Sequence, residues 1–344
     1  MRMNLRNFGD YRLIYKAFSL STVFRCGLGT IYTALKGVRK KTNVPMVTFL
    51  TFSIFPELTR IWYYFASKIC AILKEGGLST ELLVVDCGGN LNPENFSNAS
   101  VRRYFNDAHP RKLGFFFRYY IKSPLVLVSD DDCFLLEESP VREAVINMWS
   151  DSSIAVWSFF PRPDWWLTVG EERVRPMGSY CLLVNRDIIL KEGLSFKSPK
   201  AVNPHNNRSY DTGDYMHEQL VAKGYKVILP PGQTRSSGIG GFRGSSLWKV
   251  LAWGCSRIEL RRYFATPFSY EYHYRHNLKS FYIAARVFDL YSRIFQEKPI
   301  PLFKEGELRE FSDSVPEMEL KEAIRHDLEW VDESYLELID RLHA

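Results

Sequence analysis

The sequence predicts an α/β protein: a mixed, mainly parallel sheet flanked by helices, with helical extensions at both ends. Three observations predict it. Val44–Ser53 and Glu81–Asp86 are apolar, β-branched runs separated by a helical stretch, giving a strand, a helix and a strand within about 45 residues. Further apolar runs then recur at spacings that leave room for crossover helices. Finally, 46% hydrophobic, 24% charged and 15% aromatic residues in 344 describe a globular chain able to bury a large core, and exclude a disordered or fibrous one.

Taken in order, Val44–Ser53 reads as a buried first strand. Residues 56–75 read as a helix opened by Pro56-Glu57 and closed by Gly76-Gly77. Glu81–Asp86 is the second strand and runs into a Cys87-Gly-Gly-Asn loop. Residues 98–122 read as helical. Ser123–Asp130 is the third buried strand, followed by strands at Ile154–Phe159 and Tyr180–Val184. Ser198–Tyr210 is polar and Asn-rich and reads as a mobile loop. A helix at Tyr215–Lys223 and a strand at Tyr225–Leu229 close the α/β region. The Gly-rich stretch around Gly238–Gly244 is too loosely spaced for a dinucleotide fingerprint and reads as a flexible lid. Met318–His343 reads as a solvated terminal helix. The organisation expected is a basic amphipathic segment (1–42), an α/β domain (43–235), a lid loop with helices that complete it (236–303) and an acidic helical segment (304–344).

Charge is unevenly placed. Residues 1–41 carry nine Lys/Arg against Asp10 alone, whereas residues 304–344 carry thirteen Asp/Glu against five Lys/Arg. The stretch Leu13–Leu35 places Ile14, Ala17, Phe18, Phe24, Leu28, Ile31 and Leu35 near helical spacing, with Lys16, Arg25 and Lys36 off that face. Lys16 and Arg25 rule it out as a spanning helix. It reads either as a helix lying on an anionic membrane surface or as one packed on the domain's own core. Six scattered cysteines without C-x-x-C spacing predict reduced, buried thiols rather than a zinc site or disulfide framework. With no secretory leader pattern, the expected location is cytoplasmic, peripheral on a membrane if the N-terminal helix binds one. The basic arm lacks a recognition motif for nucleic acid.

Open parallel sheets present ligand-binding groups at the carboxyl ends of their strands. Three strand ends here carry suitable groups: Thr51-Phe52-Ser53, Asp86, and Asp130-Asp131-Asp132. Adjacent carboxylates repel, so a buried strand ending on three of them is costly unless a hard dication compensates. In extended chain Asp130 and Asp132 would face one ion and Asp131 the opposite way. An acidic turn capping the next helix is the competing reading.

On these residues the chain resembles the GT-A glycosyltransferases, and within them the inverting family 2 enzymes, over roughly Val44–Leu229. The resemblance implies a Rossmann-like GT-A fold with a nucleoside diphosphate sugar as donor. It places Thr51, Phe52 and Ser53 in the nucleotide pocket, Asp86 on the base or ribose, and Asp130 and Asp132 on Mn2+ or Mg2+ in the Asp-x-Asp positions. Asp131 would touch the donor sugar, and Arg111 and Lys112 would neutralise its diphosphate. Asp211-Thr-Gly-Asp214 before a helix ending in Gly224-Tyr225 is similar to the family's acidic pair, whose acid deprotonates the acceptor hydroxyl. The adjacent Glu-Asp is missing, so the base expected is Asp214 ahead of Asp211, unless either merely caps the helix. His273, in an aromatic stretch that includes Arg275 and Asn277, would supply a further metal or phosphate contact, unless it is simply a histidine on a packed helix. Trp165 or Trp166 would stack on the acceptor, unless both anchor their loop.

The function expected is thus a metal-dependent transfer of sugar to a glycan, glycolipid or lipid-linked acceptor, with inversion. The alternatives are retention of configuration and a catalytically idle, membrane-associated interaction protein on the same fold.

Overall fold

The structure, a computed structural model, describes residues 20–38, 44–53, 55–89, 91–105, 108–162, 166–169, 172–199, 210–242, 267–297 and 318–343. Its centre is a seven-stranded sheet. In chain order the strands are β1 (Val47–Ser53), β2 (Thr80–Asp86), β3 (Ala99–Arg103), β4 (Leu125–Ser129), β6 (Ile154–Ser158), β9 (Cys181–Asn185) and β10 (Lys226–Ile228). In space they run β10-β6-β9-β4-β1-β2-β3. All pairings are parallel except the two made by β9. The expected mixed, mainly parallel α/β fold is what the chain adopts. β1, β2 and β4 are buried on both faces, as their unbroken apolar runs require.

Two helical layers cover the sheet. On one face lies α2 (Pro56–Glu75), whose Leu58, Ile61, Trp62, Phe65, Ile69 and Leu73 form a helical stripe onto β1 and β2. Each such side chain contributes roughly 1.5–3 kcal/mol by leaving water. The same layer holds α4 (Ser139–Ser150) and the two C-terminal helices α7 (Pro267–Phe295) and α8 (Met318–His343). The opposite face holds α3 (His109–Phe115), continued as a π-helical turn over Phe116–Tyr120, with α5 (Arg186–Lys191) and α6 (Asp214–Ala222). The N-terminal α1 (Leu20–Val38) packs on β3 and on the π-helical turn.

The structure departs from expectation in three places. The segment 98–122 is not one helix, because Ala99–Arg103 pairs with the open edge of β2 and helix starts only at His109. An unpaired strand edge outweighs modest local helix preference. Of the glycine stretch expected as a lid, Ile239–Gly241 is instead strand β11. It is buried and antiparallel to β5 (Cys133–Leu135), while residues 243–246 lie outside the described part. The terminal helix α8 is helical as expected, yet its Ile324, Val331, Tyr335 and Leu338 are buried against α7 and β11 rather than solvated.

A short hairpin, β7 (Leu167–Val169) with β8 (Glu172–Val174), stands apart from the sheet. Among the described residues no helix is long and apolar enough to cross a membrane. Among the described residues Cys26, Cys70, Cys87, Cys133 and Cys181 are buried and form no disulfide, and Cys255 lies outside them. Most of Ser198–Tyr210, expected as a loop, also lies outside them.

Candidate active site

The strand order reverses at β1. From β1 the chain winds outward to β2 and β3, then returns to place β4 on the other side of β1. Such a reversal opens a crevice beyond the carboxyl ends of the two central strands. β1 and β4 run in step, Leu50 beside Val128, so their ends finish together. At that point β4 delivers Asp130, Asp131 and Asp132.

The aspartates do not continue the strand. The Cys133 N–H donates to the Asp130 carbonyl at 3.0 Å and closes a turn, and the Asp130 N–H donates to Tyr180 O at 2.8 Å. The expected alternation of an extended chain therefore does not apply to these carboxylates, because Asp131 and Asp132 occupy the turn. The turn is braced from below. Trp62 Nε1 donates to Ser129 Oγ at 3.1 Å, and Ser129 Oγ donates to Cys133 O at 2.8 Å. Behind it, the Phe242 N–H donates to Asp132 O at 2.9 Å. Gly241 passes so close that a Cβ there would stand 2.1 Å from Asp132 O, and its φ of +125° is one that only glycine adopts readily.

Around the turn sit groups of both signs. Asp131 Oδ2 accepts from Thr59 Oγ1 at 3.4 Å, and Thr59 also hydrogen-bonds Ser53. His109 Nε2 lies 3.9 Å from Asp130 Oδ1 and has no hydrogen-bond partner although buried. Phe52 meets the His109 ring edge-on at 5.5 Å, and the Lys112 ammonium stands 5.1 Å from the Phe52 ring centre.

Solvent reaches a third of the Asp130 side chain. Even so, its enclosure, then Asp132 and Asp131, hold its pKa well above the ordinary value. Asp131 is pushed up to about 8, first by burial and then by Asp132. His109 is pushed down to about 3, by burial and then by Lys112, so it is neutral.

A second acidic pair lies further along the chain, and one member, Asp211, raises the pKa of both Asp130 and His109 through its charge. Asp211 and Asp214 share Arg162. Its guanidinium donates to Asp211 Oδ2 at 2.8 Å and stands 3.8 Å from Asp214 Oδ1. Asp214 opens α6, yet its Oδ2 accepts the Asp211 N–H at 2.8 Å rather than a helix N–H. The two carboxylates differ sharply in access: the Asp211 side chain is 58% exposed and that of Asp214 0%. Burial pushes Asp214 up to about 6 despite Arg162. For Asp211 burial is outweighed by Arg162 and the Thr212 N–H, which hold it below the ordinary range.

The structure groups Phe52 and Lys112 with the aspartate turn through His109, and groups Asp211 and Asp214 about Arg162. Thr51 and Ser53 are wholly buried, in the face of β1 that α2 covers, and Thr51 Oγ1 has no hydrogen-bond partner. Asp86 accepts from the Gly88, Gly89 and Leu91 N–H groups at 3.2, 2.6 and 3.4 Å, and so shapes its own loop. Arg111 is exposed and lines a groove of about 320 Å³ with Arg118, Tyr119 and Lys197, whose lining includes no aspartate. Trp166 stacks under Arg175 at 4.0 Å. Trp165 lies outside the described residues, and His273 is on α7 with its side chain outside them.

His109, Arg162 and Tyr180 are site residues that the sequence reading missed. His109 precedes Pro110 at a helix start, and Arg162 belongs to a motif read only for its tryptophans.

Among the described residues no three His, Cys, Asp or Glu side chains are gathered closely enough to enclose a cation. The donor set nevertheless suits a hard dication that takes part of its shell from a ligand's phosphates. It consists of carboxylates, crowded by one another, with a buried histidine nitrogen left unpaired beside them.

Comparison with solved structures finds a mannosyltransferase from Pyrobaculum calidifontis in complex with GDP-Man and Mn2+. It is 14% identical with a TM-score of 0.41, over 92% of this chain and 99% of that one. That likeness is too loose to bear on function. No family model matches the chain, and no curated protein matches it.

Proposed function

We propose that the chain is a metal-dependent glycosyltransferase that moves a sugar from a nucleoside diphosphate donor to a hydroxyl acceptor. The observation that carries this reading is the aspartate turn, held at the carboxyl end of β4 where the strand order reverses. Asp130 and Asp132 would hold Mn2+ or Mg2+ together with the donor's phosphates. When bound, the ion neutralises the crowded carboxylates and stabilises the departing diphosphate.

The chain's own groups supply the rest. Lys112, beside Phe52, adds a positive charge to the diphosphate side of the crevice. A general base must reach the hydroxyl it deprotonates. The exposure of Asp211, against the enclosure of Asp214, supports Asp211 as that base. Asp211 therefore takes the acceptor proton, Arg162 fixes its orientation, and Asp214 fixes the loop through the Asp211 N–H. Attack by an acceptor so deprotonated, opposite the leaving diphosphate, inverts the anomeric centre.

The test is a thermal-shift screen of nucleotide sugars with and without Mn2+. One nucleoside diphosphate class should stabilise the protein only with metal present. Asp130→Asn should melt higher than the parent in metal-free buffer, because it removes like-charge repulsion, and should lose the metal-dependent shift. No metal-dependent stabilisation by any nucleotide sugar would overturn the proposal and favour an idle fold. Asp211→Asn should lower turnover about 10²–10⁴-fold while leaving donor-induced stabilisation in place.

A further inference from the structure

The helix α1 is attached to the domain the wrong way round for a core helix. Among its described side chains, those it turns inward are small or polar. Cys26 and Thr33 are buried, Thr33 Oγ1 donating to Arg103 O at 3.3 Å. Gly29 sits against β3 so closely that a Cβ there would stand 2.4 Å from Arg103 Cβ. The large apolar residues point away from the protein instead: Phe24 is 68% exposed, Ile31 60% and Leu35 65%, with Leu28 and Tyr32 also exposed.

These positions, 24, 28, 31, 32 and 35, form one stripe along the helix. Phe105, itself 40% exposed, abuts Gly27 and widens the patch. Scattered exposed apolar residues are ordinary on any protein, but a continuous stripe is a contact face.

The charge carried by the same stretch of sequence, and by a groove beside the helix, points to the partner. Residues 1–41 carry nine Lys/Arg against a single Asp. The π-helical turn on which α1 packs also supplies Arg118 to the groove where exposed Arg111 and Lys197 stand. Apolar and aromatic side chains flanked by cations match the boundary between acyl chains and anionic headgroups. At 19 residues, and broken by charge, α1 suits lying in that boundary rather than crossing it.

We infer that the outer face of α1, with the neighbouring basic groove, docks the protein onto an anionic lipid bilayer with the helix parallel to the membrane plane. This goes beyond the sugar-transfer reading and does not depend on it.

The experiment uses the full chain and vesicles of phosphatidylcholine, alone or with about one third phosphatidylglycerol. The parent should co-sediment with the anionic vesicles, more weakly as salt is raised, and poorly with the neutral ones. The triple variant Phe24→Ser, Ile31→Ser, Leu35→Ser should partition at least about tenfold less, with an unchanged melting temperature. Three results would overturn the inference. One is no binding of the parent to anionic vesicles. Another is equal binding of parent and variant. The third is a variant that melts markedly lower or dissociates a parent dimer without any change in vesicle binding, since the stripe would then be covered by protein. None of these readings uses a sugar nucleotide, so they stand or fall separately from the donor site.

Discussion

Arg162 and Asp214 show how one buried pair sets the behaviour of a loop. Asp214 is enclosed and its Oδ1 has no hydrogen-bond partner, so its charge is tolerated only because Arg162 stands 3.8 Å away. Arg162→Met should therefore cost about 3–5 kcal/mol in urea unfolding, and Asp214→Asn in the same chain should recover much of it. Asp214 also gives a pH dependence of known sign. Its folded pKa of about 6 lies above the ordinary 3.8, so the folded state holds this proton more tightly than the unfolded one. The resulting stability is complete below pH 4 and is lost as pH rises through 6, by roughly 3 kcal/mol. Asp214→Asn should flatten melting temperature against pH across that window. A variant that melts with the parent's full pH dependence would show that another group titrates there.

At the scale of elements, the aspartate turn is held by strand pairing it does not itself supply. β11 returns from more than a hundred residues downstream to pair with β5, and Gly241 lets it pass against Asp132 O. Gly241→Ala adds a Cβ where the backbone already stands and forces a φ that alanine resists. It should cost about 2–4 kcal/mol and lower metal-dependent turnover together with stability. By contrast, Gly77→Ala, where the added Cβ meets nothing, bears only the strain of its φ of +85° and should cost about 1–2 kcal/mol without touching the site.

The elements nearest the site were the most legible in the sequence. Val47–Ser53, Pro56–Glu75 and Thr80–Asp86 fall where apolar runs, Pro56 and Gly76 place them, because burial on both faces leaves an unmistakable pattern. Ala99–Arg103 was illegible for the opposite reason. It is an edge strand of mixed polarity, and only the open edge of β2 makes it a strand. Similarly, His109 and Arg162 carry no local signal, since their meaning comes from lying beside carboxylates 21 and 49 residues further along.

On the scale of the whole molecule, the acidic C-terminal helix is part of the α/β core. α8 packs on α7 and β11, and α7 packs on α2, so one apolar cluster joins the last helix to the central sheet. Leu338→Ala should cost about 2–5 kcal/mol as a core truncation, and the loss should be seen in the same unfolding transition that reports on β1. Two separate transitions would show that α8 unfolds on its own.

The sequence by itself determined the class of fold, the position of the buried central strands, and the clustering of aspartates after the third buried run. These follow from hydrophobic periodicity and from the electrostatic cost of adjacent carboxylates, and both are local properties. Tertiary structure alone decided that Asp130–Asp132 form a turn, that Asp211 is the open carboxylate and Asp214 the closed one, and that α1 faces outward. Each depends on which distant backbone or side chain comes to stand beside it, and residue type and spacing along the chain do not encode that.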